Sequence, residues 1–510
     1  MKETKKMKRN ERRNNTSDQP ASAPVDGSFK ARIRRIPPVI WLAAAFLIMA
    51  WWALPIRNGV FMRWMEDCSL FDPSDYGRDQ LMRYPGGLLQ YIGSYLMQFM
   101  HIPKLGSSIL FALWMLLAFM TVRCFRLPSR LIPLSLLIPI LMLRSVLMLD
   151  ESWLTILYKG FIFAPTIGFI CVTALVWIWR LIRPWWGAAL FSLLTVCLYP
   201  WLGFFALLAG VVQAVLSIMQ ISRNTPTSGK SIYGFLTTPV IVLILAICVP
   251  VFYYRNMPGT WVEGNHLWVK GLPDLMLNDN DAPFFLPFFL SSLLLLLFAC
   301  LTRFRKYAFG KWYSYWTVLL VVMAGFWCSG KIEKSEQWRA MALMQLHIDR
   351  LNWDRVVMVA DNMKGPLTPE LAYLAQMGRN ICGMPQMKYN ISEDYPDADN
   401  LRKRPAFLRT AFLSVPADYF LGETNRSYRW AMEHSVKYGH RAFLLKYMVR
   451  SCLLNGDYEL ARRYNDMLAR TLFHREWSEH YGKFIDDPSL IPGDPELGSI
   501  HTSTAPRVFY

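Results

Sequence analysis

The feature that most constrains this chain is a series of nine apolar runs, near residues 38–55, 107–122, 131–149, 160–179, 185–199, 201–221, 235–253, 284–302 and 313–329. A helix needs roughly 17 to 25 such residues to cross about 30 Å of hydrocarbon, where its backbone satisfies its own hydrogen bonds. The fifth run is short and meets the sixth at Tyr199-Pro200, so the two read as two spans or as a re-entrant hairpin. Either way the chain returns to the side it left. The stretch from Pro37 to Gly330 holds only 20 of the 55 Lys and Arg and 11 of the 37 Asp and Glu. Charged residues are 18% of the whole chain, against about 25% in soluble domains. The expected class is all-α: a polytopic helical membrane protein of about nine spans over 37–330, with a soluble helical domain behind them. Disorder throughout, a collagen-like fibre, a small disulfide scaffold and a purely cytosolic enzyme are excluded.

The first 36 residues hold eleven Lys and Arg against four acids and read as a disordered basic arm. The apolar run behind the arm starts only at Pro38, which predicts an uncleaved first span rather than a signal peptide. The arm, Arg123/Arg126/Arg130, Arg180/Arg183, Arg223/Lys230 and Arg303/Arg305/Lys306/Lys311 fall on alternate sides of the spans as one set. The bias of Lys and Arg toward cytoplasmic loops then puts this set in the cytoplasm. Nine crossings leave 331–510 outside, so the expected location is the cell inner membrane with a periplasmic or equivalent tail. All eleven acids of the membrane part fall in the three external connections, 56–106, 150–159 and 254–283. An acidic, solvent-filled outer site explains this, and so does a simple avoidance of acids in short basic loops.

In the first connection Leu88, Tyr91, Ile92, Tyr95, Leu96 and Phe99 recur at helical spacing, with Gln90, Ser94 and Gln98 between them. The spacing predicts an external helix over 86–101 lying in the membrane interface. Trp51, Trp52, Trp64, Trp153, Trp177, Trp179, Trp185, Trp186, Trp261 and Trp312 stand near span ends, as an aromatic belt does. Cys171, Cys197, Cys248, Cys300 and Cys328 lie in apolar stretches where a thiol packs as a small hydrophobe. Cys68, Cys124, Cys382 and Cys452 lie in more polar segments without CxxC spacing or a neighbouring His, so no metal site is expected and one disulfide stays open.

From Lys331 to Tyr510 the chain carries 24 basic and 22 acidic residues with helical periodicity, the mark of a water-soluble domain. Residues 442–470 place Gly456-Asp457-Tyr458 between two amphipathic helices, with Ala461 following Tyr458. Residues 337–363 repeat the pattern, with Trp353 in the aromatic slot and Val356 and Ala360 behind it. Both stretches resemble tetratricopeptide repeats. The material between them, with Ala406 to Phe412 and Tyr428 to Tyr438, reads as helical but degenerate.

The adjacent carboxylates Glu66 and Asp67 emerge about ten residues after the first span and are the strongest candidates for chemistry. With the helix-like 86–101 segment and the outward tail, they resemble the polytopic C-fold glycosyltransferases that use lipid-phosphate sugar donors. That resemblance implies an acid of the pair as general base, taking the proton of an acceptor hydroxyl while the phosphate-linked lipid leaves. It implies Arg144 and Lys159, at the outer ends of spans three and four, as cations for the phosphate. An ion pair of Arg144 with Asp150 or Glu151 explains its position equally well. Trp261, Glu263, His266, Trp268 and Lys270 of the third external connection are candidates for gripping a sugar. A solvated loop with interface anchors is the plainer reading of them, as it is for Asp72, Asp75 and Asp79. The second external connection is very short for that family, and only one acidic pair matches.

No nucleotide-binding or hydrolase motif stands in its required context. A secondary transporter is disfavoured, because only Arg144 and Lys159 are ionisable within the spans and no internal symmetry is visible. The net charge of +18 sits mainly on the arm and cytoplasmic loops, which makes membrane lipids rather than nucleic acid the expected partner. The remaining alternative is a non-catalytic, membrane-anchored scaffold that meets protein partners of the envelope through 331–510. The chain also resembles, over its whole length, uncharacterised bacterial polytopic membrane proteins with repeat-containing tails. The sequence names no cofactor.

Overall fold

The long apolar runs have one way to satisfy their backbone without water, and in the computed structural model each of them is helical. The structure describes residues 37–148, 160–182, 184–221, 229–255, 282–302, 311–330, 332, 336–391 and 413–501. Helix α1 (Pro38–Trp51) runs on as a π-type turn to Arg57, and three helices, α2 (Gly59–Asp67), α3 (Asp75–Met82) and α4 (Gly87–Met97), form the first connection. There follow α5 (Pro103–Phe125), α6 (Leu137–Leu147), α7 (Ala164–Leu181), α8 (Trp185–Cys197), α9 (Phe204–Ile221), α10 (Gly229–Arg255), α11 (Ala282–Leu301) and α12 (Lys311–Ser329). Among the described residues Pro38–Arg57, Pro103–Phe125 and Ala164–Leu181 are long and apolar enough to cross a membrane, and the apolar helical segments Ile132–Leu147, Trp186–Cys197, Phe204–Met219, Pro239–Tyr253 and Phe285–Leu301 are shorter. The 185–221 region forms α8 and α9, joined by one helical turn at Tyr199–Leu202.

Packing among these helices is apolar and directional. Helix α10 packs on α8 and α9, α7 on α5 and α9, and α6 on α11. Trp114 is fully buried and donates its indole N–H to Thr166 Oγ1 at 3.2 Å. Leu243, Phe252, Leu293 and Phe326 point outward, the opposite of what water favours and what lipid accepts. Trp52, Trp177, Trp186 and Trp312 are exposed as the belt requires, but Trp64 and Trp179 are buried. Trp64 packs against Trp338 at 5.8 Å, and Trp179 donates to Ala188 O at 3.1 Å. Trp153 and Trp261 lie outside the described residues. All nine cysteines are free thiols.

Pro55 cannot donate to the helix, and the chain breaks there into the π-type turn. Asn58 stabilises the break by donating from Nδ2 to Ala53 O at 2.7 Å and to Ile332 O at 2.9 Å. The helix expected over 86–101 forms as α4 plus a 3₁₀ turn, Gln98–His101. Leu89, Gly93, Met97 and Met100 face inward, while Ile92 and Tyr95 of the apolar stripe face outward.

Helices α13 (Glu336–Asp349), α14 (Trp353–Asp361), α15 (Pro369–Ile381), α16 (Val415–Phe420), α17 (Thr424–Tyr438), α18 (Ala442–Asn455), α19 (Tyr458–Ala469) and α20 (Arg475–Asp486) complete the chain. Consecutive members of α13–α15 and of α16–α20 pack on one another. Both expected helix pairs form, with Trp353, Val356 and Ala360 in one core and Gly456 at φ 82° capping α18. Among the described residues no β-strand occurs beyond one isolated bridge between Leu367 and Ile391. Contacts group Phe46–Tyr510 as one compact unit.

The close crossing of α4 over the start of α7 depends on Gly93. A Cβ there would meet Gly160 O at 2.6 Å and Ala164 Cβ at 3.1 Å. Gly93→Val should cost about 1–3 kcal/mol, an overpacking penalty, whereas Gly325→Ala, with nothing within 4 Å, should not destabilise. Thermal unfolding in detergent checks both.

Candidate functional site

Helix α2 is amphipathic and short, and its last turn carries Glu66 and Asp67 into the protein rather than out to solvent. They are 3% and 9% exposed. Burying two adjacent carboxylates is costly unless each finds charged or hydrogen-bonding partners. The partners come from the far end of the chain. Lys446 Nζ of α18 donates to Asp67 Oδ1 at 2.9 Å and stands 3.9 Å from Asp349 of α13. His474, just before α20, meets Glu66 Oε1 through Nε2 at 3.2 Å, and His101 Nδ1 meets Oε2 at 3.0 Å. Phe473 stacks on the His101 ring at 5.2 Å between centroids, fixing its plane.

Backbone contacts close the same junction. Ala442 N donates to Ser69 O at 3.2 Å, the Arg441 side chain donates to Cys68 O, and Leu472 N donates to Gln98 Oε1 at 2.9 Å. The end of α2 and the 3₁₀ turn after α4 are thereby bound to α18 and to the turn before α20. On one side lies a small cleft lined by Arg63, Trp64, Asp67, Gln345, Asp349 and Phe443.

Burial pushes the Glu66 carboxyl up, but the His474 charge and the hydrogen bonds from His101 and His474 outweigh it and hold the group below its ordinary value. Burial also acts on Asp67, and Lys446 and His474 bring it down in the same way. Asp349, farther from the ammonium and repelled by Asp67, is driven up by burial. Burial disfavours the Lys446 ammonium, yet Asp67 and Asp349 raise its pKa. The cluster is therefore a charge network with one cation shared between two carboxylates of unequal acidity.

Other sequence candidates stand elsewhere. Arg144 is buried in α6, donates to Trp327 O at 3.1 Å and lies 4.3 Å over the Trp327 ring, a cation–π contact. Lys159, Trp261, Glu263 and His266 lie outside the described residues, as do Asp150 and Glu151. Asp75 and Asp79 are exposed and pair with Arg78, and Asp72 accepts from Ser74 N at 2.9 Å. Sequence reading missed His101, Asp349, Lys446 and His474. One signal was available: Lys446 and Arg450 sit four residues apart in an otherwise apolar, buried helix, where each cation needs an acid. Arg450 finds Glu496 at 3.0 Å. Glu66, His101 and His474 also bring one potential metal-ligating atom each to within 4.8 Å of one another.

Removing the cation should be severe. Lys446→Met removes the cation that Asp67 and Asp349 share and should cost about 3–5 kcal/mol in unfolding free energy, the usual loss for half a buried pair. The pH response follows from the lowered carboxyls. Glu66 and Asp67 contribute stability above their unfolded values near pH 4, and that stability is lost as the pH falls through their folded values. Melting curves should show a fall below about pH 4 that Glu66→Gln/Asp67→Asn makes shallower.

No curated protein and no solved structure matches the chain. Residues 32–507 match a family of unknown function, DUF6057. The match spans nearly the whole chain, buried charge cluster included, and the protein belongs to that family.

Proposed function

We propose that this protein is a multi-pass scaffold of the cell inner membrane, whose spans mount a tetratricopeptide-like helical domain on the outer side and present it to protein partners of the envelope. The observation that carries this reading is the commitment of the acidic pair. Glu66 and Asp67 are buried and engaged by His101, His474 and Lys446, whereas a general base needs a carboxylate turned to its substrate. The pair acts as a joint that fixes the outer helices on the first connection.

The same contact supports the sidedness. Asp67 and Lys446 are 2.9 Å apart and share a compartment, so an even number of crossings separates them. The eight apolar runs from 107 to 329 meet that condition. With the first run they make nine spans, the basic arm in the cytoplasm and 331–510 outside.

One observation favours a second reading, the outward-facing glycosyltransferase on a polyprenyl-phosphate-type donor. Asp67 lines the cleft together with Arg63, Gln345 and Asp349, so an acid and a cation border one open space. Arg144 and Lys159 would serve the phosphate in that case, and Trp261, Glu263 and His266 the sugar.

A photo-cross-linking residue at Tyr373, 47% exposed on α15, separates the two. The scaffold predicts discrete envelope-protein adducts in cells, weakened by Lys446→Met. Absence of adducts, together with sugar release from a polyprenyl-phosphate donor that Asp67→Asn abolishes without moving the unfolding midpoint, would contradict it and establish the enzyme.

A further inference from the structure

The geometry points to a divalent transition-metal site of the zinc class, formed by Glu66, His101 and His474 and linking the first connection to the C-terminal helices. It goes beyond the scaffold reading, which holds with or without a metal. Three residues separated by 35 and 373 positions in the chain converge from α2, the 3₁₀ turn after α4 and the turn before α20. Two imidazole nitrogens and a carboxylate are the donor set that zinc and its neighbours bind well, with ligand bonds of about 2.0–2.2 Å.

The spacing fits that set. Tetrahedral ligands at such bond lengths stand about 3.3–3.6 Å apart. Glu66 Oε2 is 3.0 Å from His101 Nδ1, and Glu66 Oε1 is 3.2 Å from His474 Nε2. One nitrogen from each ring and a carboxylate oxygen lie within 4.8 Å of one another, so seating an ion draws the ligands together by up to about an ångström. Glu66 and His474 side chains are each 3% exposed and His101 is 20% exposed. Water and ions therefore reach the cluster from the His101 side, and the deep ligands are held in place.

The surroundings are prepared for a cation in charge and in rigidity. Asp67 Oδ1 lies 3.9 Å from His474 Nε2 and adds negative charge beside the ligands. His474 N donates to Thr471 Oγ1 at 3.3 Å, anchoring the backbone that carries the ring. Phe473 holds the His101 plane. One neighbour must move: Arg63 Nη2 lies 3.4 Å from His101 Nε2. When Nδ1 binds metal, Nε2 carries the proton and no longer accepts from Arg63. Arg63 lines the cleft with Asp67 and Asp349. The three protein ligands leave a fourth position to solvent.

The test uses the full chain purified in detergent, stripped with chelator and titrated with zinc alone. About one tightly held equivalent is expected by elemental analysis, with an unfolding midpoint raised by a few degrees through ligand linkage. Cobalt in place of zinc should give the visible absorption of a tetrahedral nitrogen–oxygen site. His474→Gln and His101→Asn should lower zinc affinity at least tenfold, in the range that ligand loss produces. Glu66→Gln, which keeps a hydrogen-bonding side chain between the rings, should do the same while the metal-free protein stays folded. Asp75→Asn/Asp79→Asn on the surface should bind as wild type does. Less than a fifth of an equivalent with no midpoint shift, or binding undiminished in all three ligand variants, would overturn the site.

Discussion

Two adjacent carboxylates taken out of water each cost several kcal/mol, and the attraction of Lys446 and the hydrogen bonds of two histidines offset that cost only if the geometry holds. The arrangement around Glu66 and Asp67 rests on this constraint. The break at Pro55 and Asn58 must turn α2 so that its last turn faces the later helices. Helix α18 must then bring an ammonium to 2.9 Å of Asp67 from 379 residues away.

The same rule is at work inside the apolar bundle. Arg144 cannot lie bare among the buried faces of α6, and it is held by a carbonyl and an indole face of Trp327. Arg450 is wrapped by Tyr447, Trp477 and Tyr481 and neutralised by Glu496. Charge in this protein is sparse in the apolar regions, and the buried Asp67–Lys446 pair joins segments distant in sequence. If the Glu66, His101 and His474 set also holds a metal, one more bond type serves the same joint.

What was legible in the sequence follows from the range of the forces involved. Helices at the apolar runs, the helix after Gly86 and the pairs around Gly456 and Trp353 are set by local periodicity and turn chemistry, and they form as expected. Faces are less local. Leu89 and Met97 are buried because Gly93 lets α4 approach α7, a fact of tertiary contact that periodicity cannot register. Trp64 looks like an interface anchor by position, yet Trp338, 274 residues away, covers it. The acidic pair was visible as a feature, but its partners were not, since nothing local ties residue 66 to residue 474. Only the cations inside α18 hinted that a buried acid had to exist somewhere.

The most direct measurement is a double-mutant cycle between Asp67→Asn and Lys446→Met, read as unfolding free energy of the detergent-purified protein near neutral pH. A buried joint of this kind predicts that the two substitutions are strongly non-additive, with a coupling of about 1–3 kcal/mol. Additivity within about 0.3 kcal/mol, the behaviour of residues that do not touch, would contradict the account.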